Sequence, residues 1–139
     1  MFGEDDRCNL FLKMDIEGAE YEVTDEIIEQ RCRINCVVAE FHDLDTNTQG
    51  FNESFKRLNR HFYCIHVHGN NFSPYSQEHD FPCVIEITFL NKSLFPGSVI
   101  PVERSYPIAQ LDFACNPVKA DYPLDFESQP TAARSSETA

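Results

Sequence analysis

The chain has 139 residues, 42% of them apolar, so it is long enough for one compact domain and too short for two. The net charge of -12 and the pI near 4.6 argue against nucleic acid as a partner, because phosphate binding depends on clustered lysines and arginines. No apolar run reaches the roughly 18 residues of a membrane span, and the opening MFGEDDRCN is too acidic for a signal peptide, so we expect a cytoplasmic protein without membrane contact.

The first predicted elements are a strand, a turn and a helix. The apolar run NLFLKMDI predicts a strand near Leu10 to Ile16, and EGAE predicts the turn that follows. In YEVTDEIIEQRCRI, over residues 21–34, apolar positions recur at helical spacing as far as Ile34. The pattern therefore predicts a helix over this segment.

The same alternation then repeats. A Val- and Phe-rich run predicts a second strand over Cys36 to Phe41, and FNESFKRLNRHF predicts a second helix. That helix carries an apolar stripe that is typical of packing against a core, at Phe51, Phe55, Leu58 and Phe62.

Two more strands follow without a helix between them. FYCIHVHG alternates with a period of two from Phe62 to His68, and a long loop rich in turn residues separates it from CVIEITFL, Cys83 to Leu90. Such a connection permits antiparallel pairing. Repeated prolines after Pro96 exclude long regular elements, and the polar residues 127–139 predict a disordered tail.

The six cysteines lack C-x-x-C spacing, and three of them sit inside apolar runs. We therefore expect reduced, mostly buried thiols. Cys32 and Cys36, at the i,i+4 spacing of a helix, are expected to face the core rather than to bind a metal.

Three of the predicted strands end in polar pairs at i and i+2: Asp15 with Glu17, Glu40 with His42, and His66 with His68. Each pair projects to one side of its strand, and ligands of open α/β sheets bind at the carboxyl ends of the strands. Such a group of carboxylates and imidazoles can hold a divalent cation or remove a proton from a hydroxyl.

Structural explanations remain open for the same residues. Asp15 can cap the next helix, Glu17 and Glu20 can favour a helix amino terminus, and Gly18 can simply make the turn. A strand histidine is usually a hydrogen-bonded core or surface residue. A functional role is favoured for HVHGNN, because the strand ends at a glycine and two amides, Asn70 and Asn71, follow.

Together these blocks are similar to the carboxyl-terminal half of FkbM-type methyltransferases, which use S-adenosylmethionine. The resemblance rests on LKMDIEGAEYEV, VVAEFHDLD, F-x-x-x-F-x-x-L-N-x-x-F, HVHGNN, VIEITFLNK and LDFACNPVKADYPLDF, and it extends from about Asn9 to about Phe126. It implies an α/β fold: a partial Rossmann-like class I methyltransferase sheet with flanking helices. The four predicted strands would be its fourth to seventh, the last antiparallel, in the order fourth, fifth, seventh, sixth.

The resemblance also implies that one half of the enzyme is missing. The family's glycine-rich loop and ribose-binding acid belong upstream of residue 1, and the five glycines here are isolated, without any G-x-G loop. Residues 1–126 are thus expected to be the carboxyl-terminal half of a methyltransferase domain. We expect no S-adenosylmethionine binding and no activity by this chain alone, although complete relatives use that cofactor.

The expected function is the acceptor side of an O-methyltransferase, with a small hydroxyl-bearing acceptor such as a sugar. Whether a metal binds is left open. The alternatives are a non-enzymatic metal- or glycan-binding module, or one half of a split enzyme. Because the fourth strand would lack a partner, we also expect self-association or association with a missing amino-terminal half. The candidate catalytic residues are Asp15, Glu17, His42, His66 and His68, and the candidate substrate-binding residues are Glu20, Glu40, Asn70 and Asn71.

Overall fold

The computed structural model describes residues 9–126, which fold around a single mixed sheet. The predicted tail, residues 127–139, lies outside the described residues. In chain order the elements are β1 (Leu10–Met14), α1 (Thr24–Glu29), β2 (Ile34–Phe41), α2 (Thr48–Leu58), β3 (Phe62–Gly69), β4 (Tyr75–Ser76), β5 (Phe81–Pro82), β6 (Ile85–Asn91), a 3-10 turn (Lys92–Leu94), β7 (Ser105–Tyr106) and β8 (Leu124–Asp125).

The four long strands lie in the order β1-β2-β6-β3, which is the order predicted for them. β1 and β2 are parallel, whereas β6 runs antiparallel to both β2 and β3. The carboxyl ends of β1, β2 and β3 therefore meet at one edge of the sheet. This edge carries the polar pairs that the sequence places after the strands.

One face of the sheet forms the core with both helices. Ile87 of β6 and Ile27 of α1 belong to one buried apolar cluster. Two ring contacts hold α2 to the sheet: Phe51 with Phe41 at 5.5 Å, and Phe55 with Phe89 at 5.8 Å. The irregular chain after β7 packs against the opposite face of the sheet, where it contacts His66 and His68. Within residues 9–126, both α-helices therefore lie on the same face of the sheet.

Both helices are shorter than their sequence patterns predict. α1 ends at Glu29, and Ile34, predicted as its last apolar position, begins β2 instead. Likewise α2 ends at Leu58, and Phe62 begins β3. Ile34 and Phe62 are both buried, so the packing prediction holds for Phe62, while the helical assignment is wrong for both residues. The first apolar residue of each following strand happened to lie at the spacing that would have continued the preceding helix.

The cysteines are free among the described residues, as expected, but they are not mostly buried. Cys83 is buried, Cys36 and Cys64 are partly buried, and Cys32 and Cys115 are exposed. Cys36 lies in β2, as its strand assignment predicted, whereas Cys32 is exposed, so the expectation that Cys32 faces the core is wrong. Neither α-helix of the described chain has the length and apolar character needed to cross a bilayer.

Candidate functional site

The turn after β1 folds a buried carboxylate back under its own backbone. Glu17 and Gly18 adopt φ values of 54° and 101°, the left-handed region that a tight turn requires. Glu20 is 0% exposed, and its Oε1 accepts hydrogen bonds from the backbone N–H groups of Ile16 and Gly18, each at 3.2 Å. Gly18 therefore makes the turn, as one structural explanation held, and Glu20 fixes the shape of the turn from inside.

The helix-capping explanation for Asp15 is wrong. α1 begins at Thr24, its N-cap is Val23, and no side chain caps it. The carboxylate of Asp15 instead lies near the imidazole of His42, which follows β2. The turn thus delivers its acids to the end of the neighbouring strand.

The imidazole of His42 is held in place through its Nδ1 nitrogen. Its Nδ1 lies 2.9 Å from Glu20 Oε1, a distance at which the ring N–H donates to the buried carboxylate. The Tyr21 hydroxyl donates a hydrogen bond to the carbonyl oxygen of His42. With Nδ1 protonated in this way, Nε2 carries the lone pair of the neutral ring.

Three carboxylates surround that second nitrogen at nearly equal distances. From His42 Nε2 it is 3.6 Å to Glu17 Oε2, 3.7 Å to Glu40 Oε1 and 3.8 Å to Asp15 Oδ1. None of these distances is short enough for a good hydrogen bond. We call Asp15, Glu17, Glu20, Glu40 and His42 the rim cluster. The ligand atoms of Asp15, Glu17 and His42 all lie within 4.8 Å of one another, which is compatible with one bound metal ion.

The rim cluster is strongly negative around its one imidazole. Burial raises the pKa of the Glu20 carboxyl, but hydrogen bonds from backbone N–H groups and from His42 outweigh burial, so the pKa lies below its usual value. Burial, together with the charges of Glu20 and Asp43, raises the pKa of the Tyr21 hydroxyl. Glu20 Oε2 has no hydrogen-bond partner within the described chain, so a buried charge remains incompletely compensated there.

Asn70 joins the rim cluster from the end of β3. Its Nδ2 donates a 2.8 Å hydrogen bond to Glu40 Oε1, and its Oδ1 accepts from the backbone N–H of Phe72. The polar residues at the carboxyl ends of β1, β2 and β3 are therefore connected at one edge of the sheet.

Asn71 lies outside the rim cluster, and both polar groups of its side chain already have hydrogen-bond partners. It is 0% exposed, its Nδ2 donates to backbone carbonyls of residues 116, 119 and 120, and its Oδ1 accepts from the N–H of Asn116 at 2.6 Å. These contacts explain the residue as a clamp on the chain after β7, without a ligand. Its substrate-binding role stays a prediction.

His66 and His68 share one side of β3, as predicted, and are paired with aspartates rather than with the rim cluster. In the sheet they lie opposite Thr88 and Glu86. His68 Nε2 lies 2.9 Å from Asp121 Oδ2 in a hydrogen bond. His66 Nε2 is also 2.9 Å from a carboxylate oxygen, that of Asp112, although the angle is not that of a hydrogen bond. Their catalytic role stays a prediction.

Sequence reasoning missed Asp112 and Asp121, which hold the irregular chain to the sheet. It also missed a cavity of about 560 Å³ between α2 and the short strands β4, β5 and β7. Aromatic side chains dominate its wall: Phe51, Phe55, Phe81, Tyr106 and Phe126. The stripe on α2, predicted as packing, was the available signal for this cavity.

Two glycines near the strand ends lie close to the chain's own side chains. A Cβ built on Gly18 would lie 3.2 Å from the Asp43 carboxylate, and one on Gly69 would lie 2.9 Å from the Pro82 ring. At these two positions the chain's own side chains occupy the space beside the glycine.

A family model for the FkbM methyltransferase domain matches residues 2–80, more than half of the chain. The chain belongs to the FkbM methyltransferase family. The match spans β1 to β3 and all residues of the rim cluster, which confirms the family predicted from the sequence motifs and gives the chain a methyltransferase-like function at the level of the family. A mixed α/β sheet with few helices is compatible with such a fold. No curated protein and no solved structure matches the chain significantly.

Proposed function

We propose that this chain is the acceptor side of an S-adenosylmethionine-dependent O-methyltransferase. Its rim cluster binds the hydroxyl of a small acceptor, such as a sugar, and receives the hydroxyl proton. S-Adenosylmethionine supplies the methyl group in complete enzymes of the family, and the strands here correspond to the fourth to seventh of their sheet. One observation carries the proposal: Asp15, Glu17 and Glu40 reach the free nitrogen of a single histidine.

The arrangement suits a hydroxyl for two reasons. Carboxylate oxygens accept its hydrogen bond, and a carboxylate or the neutral imidazole of the cluster can act as the general base that takes its proton. The amide of Asn70, already bonded to Glu40, has a second N–H that can orient a further hydroxyl of a polyol. Such paired polar groups are typical of sugar recognition rather than of an apolar acceptor.

Acceptor binding is measurable without methyl transfer. Saturation-transfer difference spectra of the purified chain with a panel of methyl glycosides should show binding that is lost in Glu40→Gln. His61→Gln, at the opposite end of β3, serves as the matched control. Binding that survives Glu40→Gln, or the absence of binding by every glycoside, contradicts the proposal.

The cofactor half of the proposal has its own test. Calorimetric titration of the chain with S-adenosylmethionine should give no heat of binding, because its five glycines are isolated and form no G-x-G loop. A micromolar dissociation constant would contradict the acceptor-side assignment.

The exposed edge of β1 supports a second proposal, a partner that adds a strand to the sheet. Among the described strands β1 pairs with β2 alone, and Phe11 next to its free edge is 67% exposed. An experiment on purified protein tests one such partner, a second copy of this chain. Sedimentation should show an oligomer that Phe11→Lys dissociates and that Phe72→Lys, an equally exposed position outside the sheet, does not. A monomer at every concentration would contradict self-association.

A further inference from the structure

The geometry points to a divalent metal site in the rim cluster, with Asp15, Glu17 and His42 as ligands. This inference deepens the proposed function and rests on it only for the role of the ion. The ligand set is one imidazole nitrogen and two carboxylates, which favours a first-row transition-metal ion, able to take nitrogen as well as oxygen, over Ca²⁺, which prefers oxygen alone.

The first argument is distance. Two ligand atoms that each lie about 2.0–2.4 Å from one ion stand about 3–4 Å apart, whereas a hydrogen-bonded pair stands at about 2.9 Å. His42 Nε2 lies 3.6 Å from Glu17 Oε2 and 3.8 Å from Asp15 Oδ1. These distances are compatible with ligands around a shared centre and are longer than those of direct hydrogen bonds.

The second argument is independent and concerns Glu20. Its carboxylate is completely buried, it is directed at the ring of His42, and Oε2 has no partner within the described chain. A buried carboxylate with one unpaired oxygen is stabilised further by a nearby positive charge. A metal ion on the far nitrogen of His42 supplies that positive charge through the ring, and the Glu20–His42 contact is the support that metal-ligating histidines ordinarily have.

The third argument is exposure. The side chain of Glu17 is 86% exposed and that of Asp15 is 46% exposed, whereas that of His42 is 14% exposed. The ligands therefore form an open bowl with the imidazole at its base. An ion bound there would have coordination positions left for water or for an acceptor. An ion lowers the pKa of a hydroxyl that it binds. Glu40, 3.7 Å from His42 Nε2, lies beside the bowl and can take the proton, leaving the electron pair on oxygen.

Mn²⁺ is the probe for the test. Purified chain, stripped with a chelator, is titrated with Mn²⁺ while the electron paramagnetic resonance signal of free aqueous Mn²⁺ is followed. We expect one ion per chain. Glu17→Gln changes an exposed side chain and should leave folding intact while raising the dissociation constant at least about tenfold. Glu20→Gln should also weaken binding by about tenfold to a hundredfold through the orientation of His42.

Glu22→Gln is the matched control, since Glu22 is an exposed acid in the same segment and is not one of the proposed ligands. It should bind Mn²⁺ as tightly as the unmodified chain. Absence of Mn²⁺ binding at millimolar concentration, or equal affinity of Glu17→Gln and Glu22→Gln, overturns the metal site. Because the titration contains no acceptor, its failure is separate from that of the proposed function. If glycosides still bind in the presence of a chelator, the proposed function stands and a role for the metal ion in acceptor binding is excluded.

Discussion

Replacing Glu20 with glutamine removes a charge from inside the turn after β1 while keeping the shape of the side chain. Oε1 of Glu20 accepts three hydrogen bonds, from two backbone N–H groups and from His42, and Oε2 has no partner in the described chain. Hydrogen bonds to a charged acceptor contribute about 1 kcal/mol more than neutral ones. The new amide N–H₂ would be buried at the position of Oε2 without an acceptor, which costs about 1–3 kcal/mol.

We therefore expect Glu20→Gln to lower the free energy of unfolding by about 3 kcal/mol, a partial offset coming from the easier burial of a neutral group. For a domain whose total stability is about 5–15 kcal/mol, this loss is large. The chain has no tryptophan, so urea unfolding is best followed by far-ultraviolet circular dichroism. Glu22→Gln should change the free energy by less than about 0.5 kcal/mol. An equally small effect of Glu20→Gln would refute the reasoning, since Glu20 would then not hold the turn.

Three further predictions follow from other contacts. Because the folded-state pKa of Glu20 lies below its usual 4.5, its charge stabilises the fold above pH 4.5, and this contribution is lost as the pH falls through the folded-state value. Urea midpoints should therefore decline more steeply on acidification in the unmodified chain than in Glu20→Gln, and parallel declines would contradict this. Asn71→Ala leaves several backbone groups of residues 116–120 unpaired and should cost about 2–4 kcal/mol, with faster proteolysis after residue 110; unchanged proteolysis would argue against the clamp. Burial raises the pKa of the Cys64 thiol to about 11, so iodoacetamide at neutral pH should label exposed Cys32 well before Cys64 in mass-spectrometric mapping, and equal rates would contradict the burial of Cys64.

The strands were predictable because their signals are local. β3 and β6 carry β-branched and aromatic residues in alternation, and glycine or asparagine ends each of them. Their order in the sheet came from the family resemblance rather than from the pattern itself. Helix lengths failed at Ile34 and Phe62, where buried strand residues happened to continue a helical spacing. Periodicity cannot separate these cases, because both elements bury the same residue types.

The rim cluster was predictable in part. The pairing of Asp15 and Glu17 with His42 follows from two parallel strands that end at one edge of a sheet. The role of Glu20 did not follow, because it depends on a left-handed turn that aims the carboxylate inward. The partners of His66 and His68 were also beyond reach. They lie about fifty residues away in irregular chain, where no periodic signal fixes which side chain meets which strand.

The most direct test of the account is to determine the tautomer of His42. The hydrogen bond from Nδ1 to Glu20 is what directs Nε2 toward the other carboxylates. Long-range ¹H–¹⁵N correlation spectra of metal-free protein at about pH 9, where a histidine ring is neutral, report which ring nitrogen carries the proton. His42→Gln identifies the signals among the five histidines. The account predicts that the proton is on Nδ1. A proton on Nε2, or rapid exchange between both nitrogens, would contradict it.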